Sequence, residues 1–259
     1  MNFFQLAVIF ISGAVAGVIN SIAGGGTILT FPALIFAGLP SMIANATSTL
    51  ALLPSAMGYT FGYRKNIPAV WPWIKKFTLV SLVGGWLGSL LLVRTPPAIF
   101  DWLVPFLILL ATVLFTAHSF FARLFRTEIK ARKNEPGWKW QAGAIFFQFV
   151  VSVYGGYFGA GIGILMLATL GMLGIGNIHE MNAVKGILGF LINIIAAGYF
   201  ILHGLIHWPA AGVMAAGSVI GGYTGARLAQ KIPQQMVRHL ITGIGLLLTV
   251  LMFVKQLSR

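Results

Sequence analysis

The sequence predicts an all-α integral membrane protein made of two inverted-topology repeats of about five hydrophobic segments each, the second segment of each repeat being short and broken or re-entrant. Three observations carry this. Hydrophobic residues make up 58% of the 259 and charged residues only 8%, with a mean hydropathy of +0.91, far from the composition of a soluble domain. The apolar residues gather in runs of roughly 20, which at about 1.5 Å per residue match a hydrocarbon core about 30 Å thick. Finally, the chain repeats itself at a constant offset of 137 residues.

The repeat rests on residues that do not substitute freely for one another. Gly24 and Gly26 fall on Gly161 and Gly163, Asn45-Ala46 on Asn182-Ala183, and Trp71-Pro72 on Trp208-Pro209. Gly84, Gly85 and Gly88 fall on Gly221, Gly222 and Gly225, Pro96 on Pro233, and Thr112-Val113-Leu114 on Thr249-Val250-Leu251. Agreement without gaps at Gly, Pro and Trp means that the two halves share one fold.

Taken in order, the first half has apolar segments over residues 3–23, 27–38, 43–63, 74–94 and 98–122, and the second over 141–160, 164–176, 181–202, 209–229 and 236–257. This divides the chain into a first transmembrane repeat (1–122), a basic linker (123–140) and a second repeat (141–259). The opening segment follows Met1-Asn2 with no basic stretch before it and no small-residue cleavage site after it, so it reads as a retained helix. The second segments, over 27–38 and 164–176, would rise only about 18–20 Å as helices. Neither can cross a bilayer alone.

A formal net charge of +13 would point to nucleic acid in a soluble protein, but the basic residues cluster beside the apolar runs. Arg123, Arg126, Lys130, Arg132, Lys133 and Lys139 share the linker, Arg64, Lys65, Lys75 and Lys76 one loop, and Arg227, Lys231 and Arg238 another. That is the positive-inside pattern of a multi-pass membrane protein. The partner it implies is the lipid bilayer and not nucleic acid. The loop over 64–76 and the linker, two spans apart, are both expected on the cytoplasmic side. In the second half the loop over 203–208, equivalent to the first, has no Lys or Arg, whereas the next one is basic. Equivalent loops therefore face opposite sides, which an odd number of crossings per half provides. Lys255 and Arg259 are the exception, falling outside. Inverted repeats of this kind belong to secondary transporters, in which exchanging the conformations of the halves opens the site to the other side.

Candidate binding residues concentrate around the short segments. Asn20 and Ser21 lead into Gly24, Gly25, Gly26 and Thr27, and Asn45, Thr47, Ser48 and Thr49 follow. In the second half Tyr154 and Tyr157 lead into Gly159, Gly161 and Gly163, and Asn182 and Lys185 open the next helix. Broken backbone at membrane depth is tolerated where protein or a water-filled cavity satisfies it. A helix beginning there offers unpaired N–H groups and a positive dipole end to an anion. Four such starts are expected, near Thr27, Asn45, Ile164 and Asn182. The glycines serve equally well for close helix packing. Lys185, about one turn inside an apolar helix with no acid nearby in sequence, either meets a bound anion or snorkels to the interface.

The rest of the chain narrows the chemistry. The four acids, Asp101, Glu128, Glu135 and Glu180, fall in the linker or near segment ends, whereas cation carriers place carboxylates among their spanning helices. With no cysteine and no His-Glu-x-x-His pattern, neither a catalytic centre, a metal site nor a cofactor is expected. His203 and His207 read as interfacial residues. Asn193 either lines the path or bonds between helices, the second being favoured. Trp71, Trp73, Trp138, Trp140 and Trp208 form an aromatic belt. Self-association is left open, since every apolar face of a membrane protein fits a homo-oligomer pattern.

The run Ala23-Gly24-Gly25-Gly26-Thr27 with Pro32, Gly38 and Asn45-Ala46-Thr47-Ser48, followed by Tyr154-Gly155-Gly156-Tyr157-Phe158-Gly159-Ala160-Gly161-Ile162-Gly163 and Asn182-Ala183-Val184-Lys185, resembles the TauE/SafE family of sulfite exporters over nearly the whole chain. The resemblance implies an inner-membrane permease for sulfur-containing anions such as sulfite, thiosulfate or sulfonates. Where the first repeat has Gly25 and Pro32 the second has Ile162 and Thr169, so the two sides of the site differ chemically. The competing readings are a permease for another organic anion or a neutral solute on the same fold, and a non-transporting membrane subunit that contacts its partner through the basic linker.

Overall fold

The computed structural model describes residues 1–22, 25–131, 137–173, 175, 177–228 and 234–257, and every described segment of regular structure is helical. Helix α1 (Phe3–Ile22) stops where three consecutive glycines remove helix propensity. Helix α2 (Thr27–Phe36) is 10 residues long, about 15 Å. Helices α3 (Ser41–Ala51) and α4 (Leu53–Gly62) follow, then a single 3₁₀ turn over Arg64–Asn66, α5 (Ile67–Arg94) and α6 (Pro97–Ala131). The second half contains α7 (Trp138–Tyr157), α8 (Ile162–Met172), α9 (Ile178–Leu202), α10 (Trp208–Leu228) and α11 (Gln234–Leu257). Among the described residues, four stretches are long and apolar enough to cross a membrane: Phe3–Ser21, Arg64–Arg94, Pro97–Leu114 and His179–Leu202.

Several boundaries differ from the sequence expectation, each for a local reason. The expected segment over 43–63 is two helices, because Pro54 brings no N–H for the carbonyl of Leu50 and its ring crowds that turn. Helix α5 begins at Ile67 and not at 74, so Lys75 and Lys76 lie on a helix instead of in a loop. Pro68 is tolerated in its first turn, where the amide would be unpaired anyway. Helix α6 runs to Ala131 through Arg123, Arg126 and Lys130, since Arg, Lys, Glu and Ala are good helix formers whatever their polarity. The expected linker is therefore helical over most of its first half. Helices α3 and α9 start at Ser41 and Ile178, about a turn before Asn45 and Asn182, so two of the four expected helix starts fall elsewhere.

The helices pack in a crossed pattern. Helix α1 lies along α10, α5 along α7 and α9, and α6 along α11. Small residues one turn apart make the closest of these contacts. A Cβ on Gly217 or Gly221 of α10 would overlap the carbonyl oxygen of Phe10 or Ala14 in α1. On α5 and α7, a Cβ on Gly88 would meet the Val153 carbonyl and one on Gly156 the Gly85 carbonyl. Such small-residue stripes let backbones approach where lipid removes the usual hydrophobic drive for association. The α5–α7 contact also buries a polar cluster, in which Gln148 Nε2 donates to Ser81 Oγ (3.1 Å) and Ser152 Oγ (3.3 Å).

Polar and apolar residues are distributed inside out. Thr30, Asn45, Thr47, Ser48, Gln148, Thr169, Lys185 and Ser218 are buried, whereas Leu79, Trp86, Val113, Phe146, Ile220 and Leu251 are exposed on outward faces. That is the arrangement expected of helices solvated by lipid. The short helices α2 and α8 lie within it: α2 packs on α1, α3 and α11, and α8 on α6, α7 and α9.

Candidate functional site

The two places where the chain leaves a helix inside the bundle are built alike, each pinned by a polar side chain. After α1, Asn20 Oδ1 accepts from the Gly26 N–H at 2.8 Å. A backbone N–H can only donate, so this bond fixes the amide orientation and leaves the Asn20 NH₂ facing away from it. After α7, the Tyr154 hydroxyl donates to the Ala160 carbonyl at 2.7 Å and Asn45 Nδ2 to the Tyr157 carbonyl at 3.0 Å. Gly25 (φ +97°), Gly159 and Gly161 (both φ +78°) turn the chain through the left-handed region, which other residues enter only with strain.

A cavity of about 70 Å³ lies between these breaks. Asn20, Gly25 and Thr27 line it from the first break, Thr49, Leu52 and Ala56 from α3 and α4. Opposite them are Gly159, Ile162, Gly163 and Met166, with Lys185, Gly189 and Asn193 of α9. Three pairs of these residues are separated by 137 positions: Gly25 and Ile162, Leu52 and Gly189, Ala56 and Asn193. The starts of α2 and α8 both front the cavity, and most amides of their first turns are paired with the preceding glycine turns: Ile28 donates to the Gly25 carbonyl, Leu29 and Thr30 to that of Gly26, Ile162 to that of Gly159 and Ile164 to that of Gly161.

Lys185 is 5% exposed. It stands two turns inside α9 with its aliphatic chain against Gly163, where an added Cβ would lie 3.3 Å from its Cδ. The side chain is thus spent on the cavity and not on reaching the helix end. Among the described residues lining the cavity, Lys185 is the one that carries a charge, and none is a carboxylate.

The expected site residues divide into two groups. Asn20, Gly25, Thr27, Gly163 and Lys185 line the cavity, and Gly26 closes its edge through the bond to Asn20. Gly24 lies outside the described residues. The others act in the shell behind. Asn45 holds the α7 terminus, and its Oδ1 is buried with no hydrogen-bond partner among the described residues. Thr47 Oγ1 accepts from the His207 N–H at 3.0 Å and so fixes the entry to α10. Ser48 is 2.6 Å from Thr30, hydroxyl to hydroxyl, joining α3 to α2. Tyr157 stands edge-on to Phe100 with its hydroxyl 3.3 Å from that of Thr95. Gly161 caps α8, and Asn182 is half-buried on α9 one turn before Lys185.

Other lining residues escaped sequence reasoning. Leu52, Ala56, Ile162 and Met166 carry no chemical signal, being apolar residues in apolar segments. Asn193, expected as an interhelical tie, instead lines the cavity and makes no hydrogen bond among the described residues. The available signal was spacing: Lys185, Gly189 and Asn193 recur every fourth residue and so share one helix face. His203 is exposed, its Nδ1 2.9 Å from the Tyr199 carbonyl, and His207 Nδ1 accepts from the Ala210 N–H at 3.3 Å.

Residues 9–252 match the family described as "Sulfite exporter TauE/SafE". A Haemophilus influenzae protein named "Probable membrane transporter protein" is 29% identical over 257 residues, covering 97% of this chain and 95% of its own. The Escherichia coli K12 "Probable membrane transporter protein YfcA" is 27% identical over 93% of this chain and 86% of its own. "Probable membrane transporter protein YunE" of Bacillus subtilis is 25% identical over 92% of both chains. No solved structure matches.

Proposed function

This chain belongs to the sulfite exporter TauE/SafE family of membrane proteins, and we propose that it is an inner-membrane secondary transporter that exports a small sulfur-containing anion, such as sulfite, thiosulfate or a sulfonate, by alternating access. One observation carries the choice of an anion: Lys185 is buried in a cavity shared by both halves and lined by no carboxylate. A cation carried through such a site would be repelled by the ammonium, whereas an anion would be attracted to it. The Asn20 NH₂ adds a donor of the kind that binds oxyanions, and the N-terminal ends of α2 and α8 bring the positive ends of their dipoles to the cavity.

Alternating access is supported by the reciprocity of the packing. The first helix of each half lies on a late helix of the other, α1 on α10 and α7 on α5, with repeat-related glycines at both contacts. Helices α6 and α11, the last of each half, pack on one another. A pair of interlocked inverted repeats can exchange conformations by rocking about a fixed central site. The basic stretch over 123–140 faces the cytoplasm in this arrangement, by the positive-inside rule. Export of one negative charge down an inside-negative potential gains about 2.3 kcal/mol per 100 mV, so no coupling ion is required.

Flux from liposomes tests this reading. Purified protein should release entrapped sulfite or a simple alkanesulfonate well above the rate of empty vesicles, faster when the interior is made negative. Release at the empty-vesicle rate for every anion tried, or transport of cations or neutral solutes instead, would overturn it.

A further inference from the structure

We infer that the cavity holds a second, polar subsite at Asn193, which recognises a hydrogen-bonding group at the far end of an organic anion whose charged head lies at Lys185. The inference rests on the anion-transport reading and extends it from the charge of the substrate to its shape. Lys185, Gly189 and Asn193 form one stripe on α9, and all three line the cavity. Eight residues separate the ends, an axial rise of about 12 Å. The floor between them is Gly189, which has no side chain to divide it. The stripe of α9 along the cavity wall therefore carries a cation at one end and an amide at the other.

No described residue satisfies that amide. Asn193 makes no hydrogen bond among the described residues, although its side chain can offer two donors and an acceptor. Its Oδ1 faces Gly159, where an added Cβ would stand 4.0 Å away. The repeat-related residue on the opposite wall, Ala56, also lines the cavity but is apolar, as is Leu52 beside it. The polar end is thus specific to α9. An inorganic oxyanion seated at Lys185 leaves the amide to water, whereas an elongated anion ending in a hydroxyl, amine or carboxylate engages both ends.

Matched pairs of substrates isolate this contact: ω-hydroxyalkanesulfonates of two to four carbons against the unsubstituted alkanesulfonates of equal length, competed in proteoliposomes. Wild-type protein should prefer the hydroxyl member at one or more lengths by about three- to tenfold, the range of a single neutral hydrogen bond. Asn193→Ala should bring that ratio close to one, and Asn193→Ser, which keeps a donor and an acceptor, should retain part of it. Gly189→Ala provides an independent check by raising a methyl group on the floor, and should slow the longer sulfonates more than the shorter ones. Equal handling of both members at every length by the wild type, or an unchanged ratio in Asn193→Ala, would overturn the subsite. Transport of sulfite with no transport of any organic sulfonate would overturn it while leaving the anion reading intact, and absence of all anion flux would remove both.

Discussion

The third apolar segments of the two halves face each other across the cavity and differ in backbone and in chemistry. In the first half the segment breaks at Leu52, ahead of Pro54, into α3 and α4; in the second the equivalent of Pro54 is Leu191 and α9 runs unbroken from Ile178 to Leu202. Where the broken segment carries Ser48, Leu52 and Ala56, the continuous one carries Lys185, Gly189 and Asn193. Ser48 is turned into protein, against Thr30, whereas Lys185 is turned into the cavity. The break is held from outside by Ser218 of α10, which donates to the Ala51 carbonyl at 2.8 Å, and from within by Ser55 of α4, whose Oγ donates to the Leu52 carbonyl at 2.8 Å. Equivalent positions have thus been given unequal tasks. The unbroken helix presents charge and amide, and the kinked one supplies an apolar wall fastened to its neighbours.

This comparison breaks most visibly if the charge is moved. Lys185→Met, which keeps a long apolar chain, should lower anion flux at least about 30-fold, the loss of 2 kcal/mol or more expected when one partner of a buried charge interaction is removed. Adding Ser48→Lys to that variant should not restore flux, because residue 48 faces α2 and not the cavity. Recovery to near wild-type rates would show the two walls to be interchangeable.

The crossed helix contacts should respond alike in both halves. Gly221→Ala and Gly88→Ala each force a Cβ into a carbonyl oxygen of the facing helix, and each should destabilise by about 1–3 kcal/mol, read as a lowered thermal unfolding midpoint in detergent. A large drop for one and none for the other would mean that the two interfaces bear unequal loads. The smallest effect belongs to the tie behind the wall. Thr30→Val and Ser48→Ala should each cost about 1 kcal/mol or somewhat more, and the double variant less than their sum, since each single change strands the other hydroxyl. Strict additivity would show that the 2.6 Å contact contributes no coupling.

Much of this was legible in the sequence because lipid imposes simple rules. Apolar runs give the spans, and glycines interrupting them give the breaks: short helices expected over 27–38 and 164–176 are observed as Thr27–Phe36 and Ile162–Met172. Lys185 was conspicuous as a charge in an apolar helix. The illegible parts lie where polarity and helicity separate. Helix α6 continues through basic residues to Ala131 and α5 begins among prolines and lysines, because helix formation depends on backbone hydrogen bonding and not on hydropathy. Four residues of the cavity wall, Leu52, Ala56, Ile162 and Met166, are apolar and unmarked. Asn45, Thr47 and Ser48, the most prominent polar cluster of the first half, bind the protein to itself. Asn193, a single amide in mid-helix, fits an interhelical bond or a lining role equally well until the neighbouring backbone is seen.

Locating the bound anion tests the central claim most directly. Crystals of the protein grown or soaked with selenite, a heavy stand-in for sulfite, can be measured at the selenium absorption edge, with a parallel data set from Lys185→Met. The account predicts an anomalous peak in the cavity between α2, α8 and α9, within about 3 Å of the Lys185 ammonium, and its loss in the variant. Selenium found only among the basic residues outside the bundle, or a cavity peak of equal strength without Lys185, would contradict it.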